Sequence, residues 1–321
     1  MLLTISSVII KKILFNKKEQ MKLQNIILGI FVVVLSINRA SAQNNILNAG
    51  TAEDIGQKTD DQLKKDNDKP LPYGFIDERD ILWSKATWEI IDLDERVNFP
   101  LYFPVDTEIK PIGSDRRPLF DVLIANIKNG NITDIYDNSY FTKKVTLSEL
   151  EASLTYNDTT KAYYDRIDDD LPPDDRLIYN YYATAYNVEQ YLVRGLWYID
   201  KRLGELRYRI IAICPVIEEA RSQAENALAS KAVPLFWVYY PDAREVLHEA
   251  KAHNKKNTSR PISFDHLLNS RRFSSVIYKE ENVYGDREVK EYISENAFLQ
   301  LLESDRIKEK IRNIELDLWN Y

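Results

Sequence analysis

Large apolar side chains recur along the chain in two different periods. Ile81, Trp88 and Ile91, with Lys85 between them, fall at helical spacing, which predicts a helix over Arg79–Arg96 packed through one face. The run Asn98-Phe99-Pro100-Leu101-Tyr102-Phe103-Pro104 ends it. A second helix fits Leu119–Asn129, with Gly130 as the residue just beyond its C-cap. Thr146-x-x-Glu149 is a capping box ahead of a short helix over Leu147–Leu154. The period then changes: Tyr191, Val193, Trp197 and Ile199 alternate with Gln190, Arg194 and Tyr198, a half-buried strand pattern. Lys201–Gly204 turns it into a second strand, Leu206–Cys214, with Arg207 and Arg209 outward, and Leu235–Tyr240 reads as a third. Ile307, Ile311, Ile314 and Leu318 close the chain as an amphipathic helix. The sum is an α+β arrangement, an antiparallel sheet with packed helices.

A faint echo runs through this order. Pro100-Leu101, Tyr102-Phe103-Pro104, Phe120-Asp121-x-Leu123-Ile124 and Ile135-Tyr136 return as Pro234-Leu235, Tyr239-Tyr240-Pro241, Phe264-Asp265-x-Leu267-Leu268 and Ile277-Tyr278. Unequal intervals make chance a rival to a true duplication, for which the halves would be residues 71–183 and 184–321.

The N-terminus carries two candidate starts, and only Met21 opens a well-formed export signal. Lys22 is its basic region, Ile26–Ile37 its apolar run, and Ala40-Ser41-Ala42 its small-residue site, so cleavage between Ala42 and Gln43 is expected. The apolar run is well short of the ~20 residues that span a bilayer. Residues 1–20 read as an upstream extension outside the signal, and Gln43 where a lipoprotein has Cys argues against lipid attachment. Residues 43–70, rich in Asn, Asp, Gln and Lys and without an aromatic residue, read as a disordered tether, with folded structure from Leu71.

Losing residues 1–42 removes six basic side chains and one acid, which leaves 37 basic and 49 acidic residues and a net charge of −12. Phosphate backbones and anionic lipid surfaces are poor partners for such a chain, whereas a folded protein with basic patches suits it. Only 9 of the 321 residues are Gly, and no G-x-G-x-x-G or G-x-x-x-x-G-K-[ST] occurs, so phosphate-cradling loops of those kinds are excluded. One Cys rules out an internal disulfide.

Candidate chemistry is sparse. His248-Glu249-Ala250-Lys251-Ala252-His253 is one residue too long for H-E-x-x-H, so its second imidazole turns off the first one's face and two surface histidines are expected. His266 has no evident ligand partners. The six Asp of Asp165–Asp175, including Asp168-Asp169-Asp170, lack the Gly and the alternation of an EF-hand; a solvated loop is expected, with weak calcium binding or a carboxylate-based hydrolase site as the alternative. Glu218-Glu219, read on a helix, diverge too far for an acid–base pair. Cys214, within the apolar run Ile210–Val216, reads as a buried small hydrophobe. Tyr179, Tyr181, Tyr182, Tyr186 and Tyr191 supply rigid amphipathic area of the kind used at interfaces, or the core and rim of the chain's own fold. No catalytic, cofactor-binding or metal-ligating residue is assigned.

Taken in order, the segments Pro72-Tyr73-Gly74-Phe75-Ile76, Ile81-Leu82-Trp83-Ser84-Lys85 through Trp88 and Ile91-Asp92-Leu93, and Asn98-x-Pro100-Leu101-Tyr102-x-Pro104 resemble the opening of the gliding motility GldN family, called PorN in non-gliding bacteria. Arg209-Ile210-Ile211-x-Ile213-x-Pro215-Val216, Pro234–Pro241 with Ala243-Arg244, Ser263-Phe264-Asp265 and Arg272-Phe273-Ser274-Ser275 continue the likeness. Glu303-Ser304-x-Arg306-Ile307-Lys308 and Asp317-Leu318-Trp319-x-Tyr321 complete it, so it covers Pro72–Tyr321. The stretch Tyr186–Leu206 is looser, with Gly195-Leu196-Trp197-Tyr198-Ile199-Asp200-Lys201 in place of an acidic-aromatic pattern. The resemblance implies a non-enzymatic periplasmic subunit of the type IX secretion system of the Bacteroidota. Such a subunit forms a ring with a GldK-like (PorK-like) outer-membrane lipoprotein and reaches a GldM-like (PorM-like) inner-membrane motor component.

Overall fold

A computed structural model describes residues 51, 68–105, 116–159, 178–218, 232–257, 261–294 and 296–319. The expected extension, export signal, cleavage site and acidic run Asp165–Asp175 lie outside these residues, as does the tether apart from residues 51 and 68–70. Asp68–Tyr321 forms one compact unit.

Its centre is the long hairpin of β6 (Val188–Asp200) and β7 (Glu205–Glu218), turned at Lys201–Gly204 as the pattern predicts. Gly204 takes a φ of +64°, a left-handed conformation that glycine adopts without penalty. Next to β6 runs β1 (Ile81–Asp92), where a helix was expected. The reason for the miss is burial on both sides. β1 is hydrogen-bonded to β6 along one edge and to β12 (Val276–Glu280) along the other, and Ala86, Thr87, Trp88 and Glu89 are all buried. A strand covered on both faces loses its alternation, and the positions left over imitate a helical stripe. Its Ile, Trp and Thr content was the better guide.

Beyond β7 the sheet continues through β9 (Trp237–Tyr239), β2 (Ile135–Tyr136) and β3 (Lys144–Val145), while β8 (Ala232–Pro234) pairs with the far end of β7. The expected third strand over Leu235–Tyr240 is cut to Trp237–Tyr239, because Tyr240-Pro241 opens helix α4 (Tyr240–Glu249), where proline at the first turn sacrifices no helical hydrogen bond. The order β12-β1-β6-β7-β9-β2 is antiparallel throughout. On one side of the central hairpin β1 leads through α1 (Phe99–Tyr102) and α2 (Leu119–Lys128) to β2, which lies beside β9. On the other, β9 leads through α4 and α5 (Phe264–Asn269) to β12, which lies beside β1. Of the echoed pieces, those at Phe120 and Phe264 lie near helix starts and those at Ile135 and Ile277 lie in strands, whereas Pro100-Leu101 lies in α1 and Pro234-Leu235 runs from β8 into a loop. β1 lies between β6 and β12.

Helices α2 and α3 (Leu147–Leu154) form as expected, α2 ending at Asn129 with Gly130 at φ +76° and α3 closed by the reciprocal Thr146–Glu149 capping box. Phe120, Leu123, Tyr191, Val193, Ile213, Phe236, Tyr240, Leu247, Phe264 and Leu268 build the main core between α2, α4, α5 and one sheet face. Ala86, Trp88, Ala212, Cys214 and Trp237 make a smaller cluster on the other. The C-terminal helix, α7 (Ala297–Trp319), buries Ile307 and Ile311 against Ile277 and Val289, while Ile314 is half-buried and Leu318 exposed. Its stripe is shorter than predicted. A separate hairpin, β4 (Thr155–Thr159) with β5 (Ile178–Tyr182), and the small pair β10 (Lys251–Ala252) and β11 (Ile262–Ser263) complete the description, with the short α6 (Val289–Tyr292).

Candidate functional site

Where the chain leaves β1 and enters α1, residues Arg96–Pro104 form one wall of a groove of about 940 Å³. The loop after β10 (His253–Lys256) and the end of α5 with Arg271-Arg272-Phe273 supply the others. Val97, Phe99, Phe103, Phe273, Ile262 and Leu267 make it apolar, and Phe103 packs edge-on against both Phe99 and Tyr102, with ring centroids 5.3 and 4.8 Å away. Among the described residues the charged lining is one-signed: Arg96, Arg116, Lys255, Lys256, Arg271 and Arg272 face the space, and none of the described lining residues is a carboxylate. Arg116 Nη1 donates to His253 Nδ1 (2.7 Å), which leaves the proton of that imidazole on Nε2.

Beneath the groove Arg271 is committed. It occupies the left-handed position that closes α5 (φ +49°), a conformation that costs a non-glycine residue about 1 kcal/mol or more. Its guanidinium grips the fully buried Glu89 of β1 bidentately, at 3.1 and 2.8 Å, and Ser275 donates to the same carboxylate. It also lies over the rings of Tyr208 (4.1 Å) and Trp197 (5.0 Å). Burial pushes the Tyr208 phenol well above its ordinary pKa, so it stays neutral beside the ion pair. The ring lies where a Cβ on Gly195 would be, 2.1 Å from its Cζ. Gly195 is what lets Tyr208 cross β6.

A second network ties the start of the folded unit to the helices. Arg244 of α4 donates to both oxygens of Asp265 (2.9 and 3.0 Å) and to the carbonyl of Leu71 (2.7 Å). Tyr240 Oη and Asn269 Nδ2 donate to the same Asp265 carboxylate, and Tyr73 donates to Asn269 Oδ1 (2.8 Å) while lying under Arg244 and Arg209. Nearby the buried Asn98 accepts from Ser274 N–H (2.9 Å) and donates to the carbonyls of Ser274 and Asp92. These bonds satisfy polar groups that burial would otherwise penalise.

The candidates read from sequence do not converge. Asp68 Oδ1 meets His248 Nε2 at 2.8 Å, while His253 faces Arg116. His266 sits in α5, its backbone N–H donating to the N-capping Ser263. Cys214 is fully buried and its thiol is driven well above the ordinary range by burial. Glu218 ends strand β7 rather than lying on a helix, and Glu219 lies outside the described residues. Tyr191 is in the core, whereas Tyr182 and Tyr186 are exposed. Among the described residues no three His, Cys, Asp or Glu side chains gather as a metal-binding group, and no helix is long and apolar enough to cross a membrane.

What does converge is the series of signature segments. Tyr73, Arg209, Tyr240, Arg244 and Asp265 share one network, Asn98 and Ser274 another, and Glu89, between two of those segments, bonds Ser275. The family described as "Gliding motility associated protein GldN" matches residues 76–320. The chain belongs to the GldN family. It is thus a component of the gliding motility and type IX secretion machinery. A comparison with curated proteins finds no match. Within this GldN-family chain the residues that sequence reasoning left unassigned are the groove cations. Their signal was present as the doublets Arg116-Arg117, Lys255-Lys256 and Arg271-Arg272 in an acidic chain.

Proposed function

We propose that this chain is exported, loses its signal between Ala42 and Gln43, and serves in the periplasm as a non-enzymatic structural subunit. In this reading it builds a ring with a GldK-like outer-membrane lipoprotein and contacts the periplasmic part of a GldM-like inner-membrane component. One observation carries the reading: buried polar side chains of the signature segments, Asn98, Arg244, Asp265 and Ser275, bond within the fold across long separations, Arg244 to the Leu71 carbonyl and Ser275 to Glu89 among them, and do not line a cleft. Such bonds hold a body rigid, which is what a subunit that transmits force through a ring requires. Expression from Met21 together with the neighbouring GldK-like lipoprotein tests it. The chain should begin at Gln43 by N-terminal sequencing and co-purify with the lipoprotein; a cytoplasmic, unprocessed protein that ignores the lipoprotein would contradict the proposal.

A further inference from the structure

We infer that the groove between α1 and the end of α5 is the docking site for an acidic polypeptide segment with apolar anchors, presented in extended form by a protein partner. The inference rests on the reading of the chain as a subunit of a protein assembly, and adds the surface and its chemistry.

Three observations support it. First, the rim cations are unspent: Arg96, Lys255, Lys256 and Arg272 are exposed and form no ion pair among the described residues, whereas Arg271 beneath them is neutralised by Glu89. Second, a mature chain of net charge −12 repels anions in general, so a cavity whose charged lining, among the described residues, is cationic marks one place where carboxylates are received. Third, the space between the cations is walled by Phe99 and Phe103, both substantially exposed (38% and 47%). Alternating carboxylate and apolar side chains match that lining, since successive residues of an extended segment point to opposite sides. A nucleic acid fits less well. Its affinity comes from phosphate neutralisation along a basic surface, and here the cations surround a single cavity on an acidic protein.

The experiment is a fluorescence-anisotropy titration of the full mature protein without the lipoprotein, so that it can fail while ring assembly succeeds. The probes are a fluorescein-labelled octapeptide alternating Glu with Phe and Leu, the same peptide with Gln for Glu, and an eight-nucleotide oligo-dT. The Glu peptide should saturate, at least ten-fold tighter than the Gln peptide or the oligonucleotide. Lys255→Glu/Lys256→Glu and, separately, Arg96→Glu lie on exposed positions, so folding checked by circular dichroism should hold while Glu-peptide binding falls at least ten-fold. Equal binding of the Gln peptide or the oligonucleotide, unchanged binding by the folded charge-reversed variants, or no saturation at millimolar peptide would each overturn the inference.

Discussion

At Gly195 a single methyl group has no room. A Cβ there would lie 2.1 Å from the Tyr208 ring, which is itself wedged beside the buried Glu89–Arg271 pair, so the ring has to move or the strands part. Gly195→Ala is expected to cost about 1–3 kcal/mol, as overpacking does, and to lower the urea midpoint accordingly. Arg271→Met acts on the other side of that cluster. It keeps the stem but abandons a fully buried carboxylate, and the expected loss is about 3–5 kcal/mol, with part of it recovered when Glu89→Gln is added. A double variant no more stable than Arg271→Met alone would contradict the pairing. Acid provides a third test. Asp68 is held below its ordinary pKa by its hydrogen bond with His248, Asp200 by Arg202, Glu149 by the Thr146 backbone N–H and Glu303 by Arg306. Each therefore adds stability that is complete above the unfolded value of about 4 and disappears as pH falls through the lowered folded value. Asp121, raised by burial, works in the opposite sense. With four groups against one, the urea midpoint should drop between pH 7 and pH 3, and an unchanged midpoint would contradict these assignments.

Among the elements, α7 and β12 show how a signature segment is used. β12 is the outer strand on its side of the sheet, and an open edge invites pairing with another chain. Ser304 of α7, fully buried, accepts the hydrogen bond of Ile277 N–H (2.8 Å), and Lys308 donates to the carbonyl of Ser275 (2.7 Å). Ser304→Ala leaves that buried N–H without its partner, for an expected loss of about 1–3 kcal/mol and faster amide exchange at Ile277 than at strands β6 and β7. The capped helices α2 and α3 and the turn at Gly204 were legible because their signals are local: a capping residue, a glycine, a change of period. β1 was not, because its burial pattern is imposed by β12, nearly two hundred residues later in the chain. The groove was hidden for the same reason. Its walls come from residues 96–104, 253–256 and 271–273, and no local pattern announces that they meet.

For the whole molecule, fold class and family were legible, while the use of the signature residues was not. The ordered segments point to GldN from sequence alone, yet only the folded chain shows that Tyr73, Arg244 and Asp265 are bonded partners and that β1 lies between β6 and β12. Within this compact unit the Arg244–Asp265 and Glu89–Arg271 ion pairs tie separate segments together. The proposed role is assembly with a lipoprotein into a closed ring, and the most direct measurement is the molar mass, by size-exclusion chromatography with light scattering, of the mature chain purified with its GldK-like lipoprotein. The account predicts a discrete high-mass particle containing many copies of both proteins, absent when the lipoprotein is omitted. A mixture that elutes as two separate monomers would contradict it.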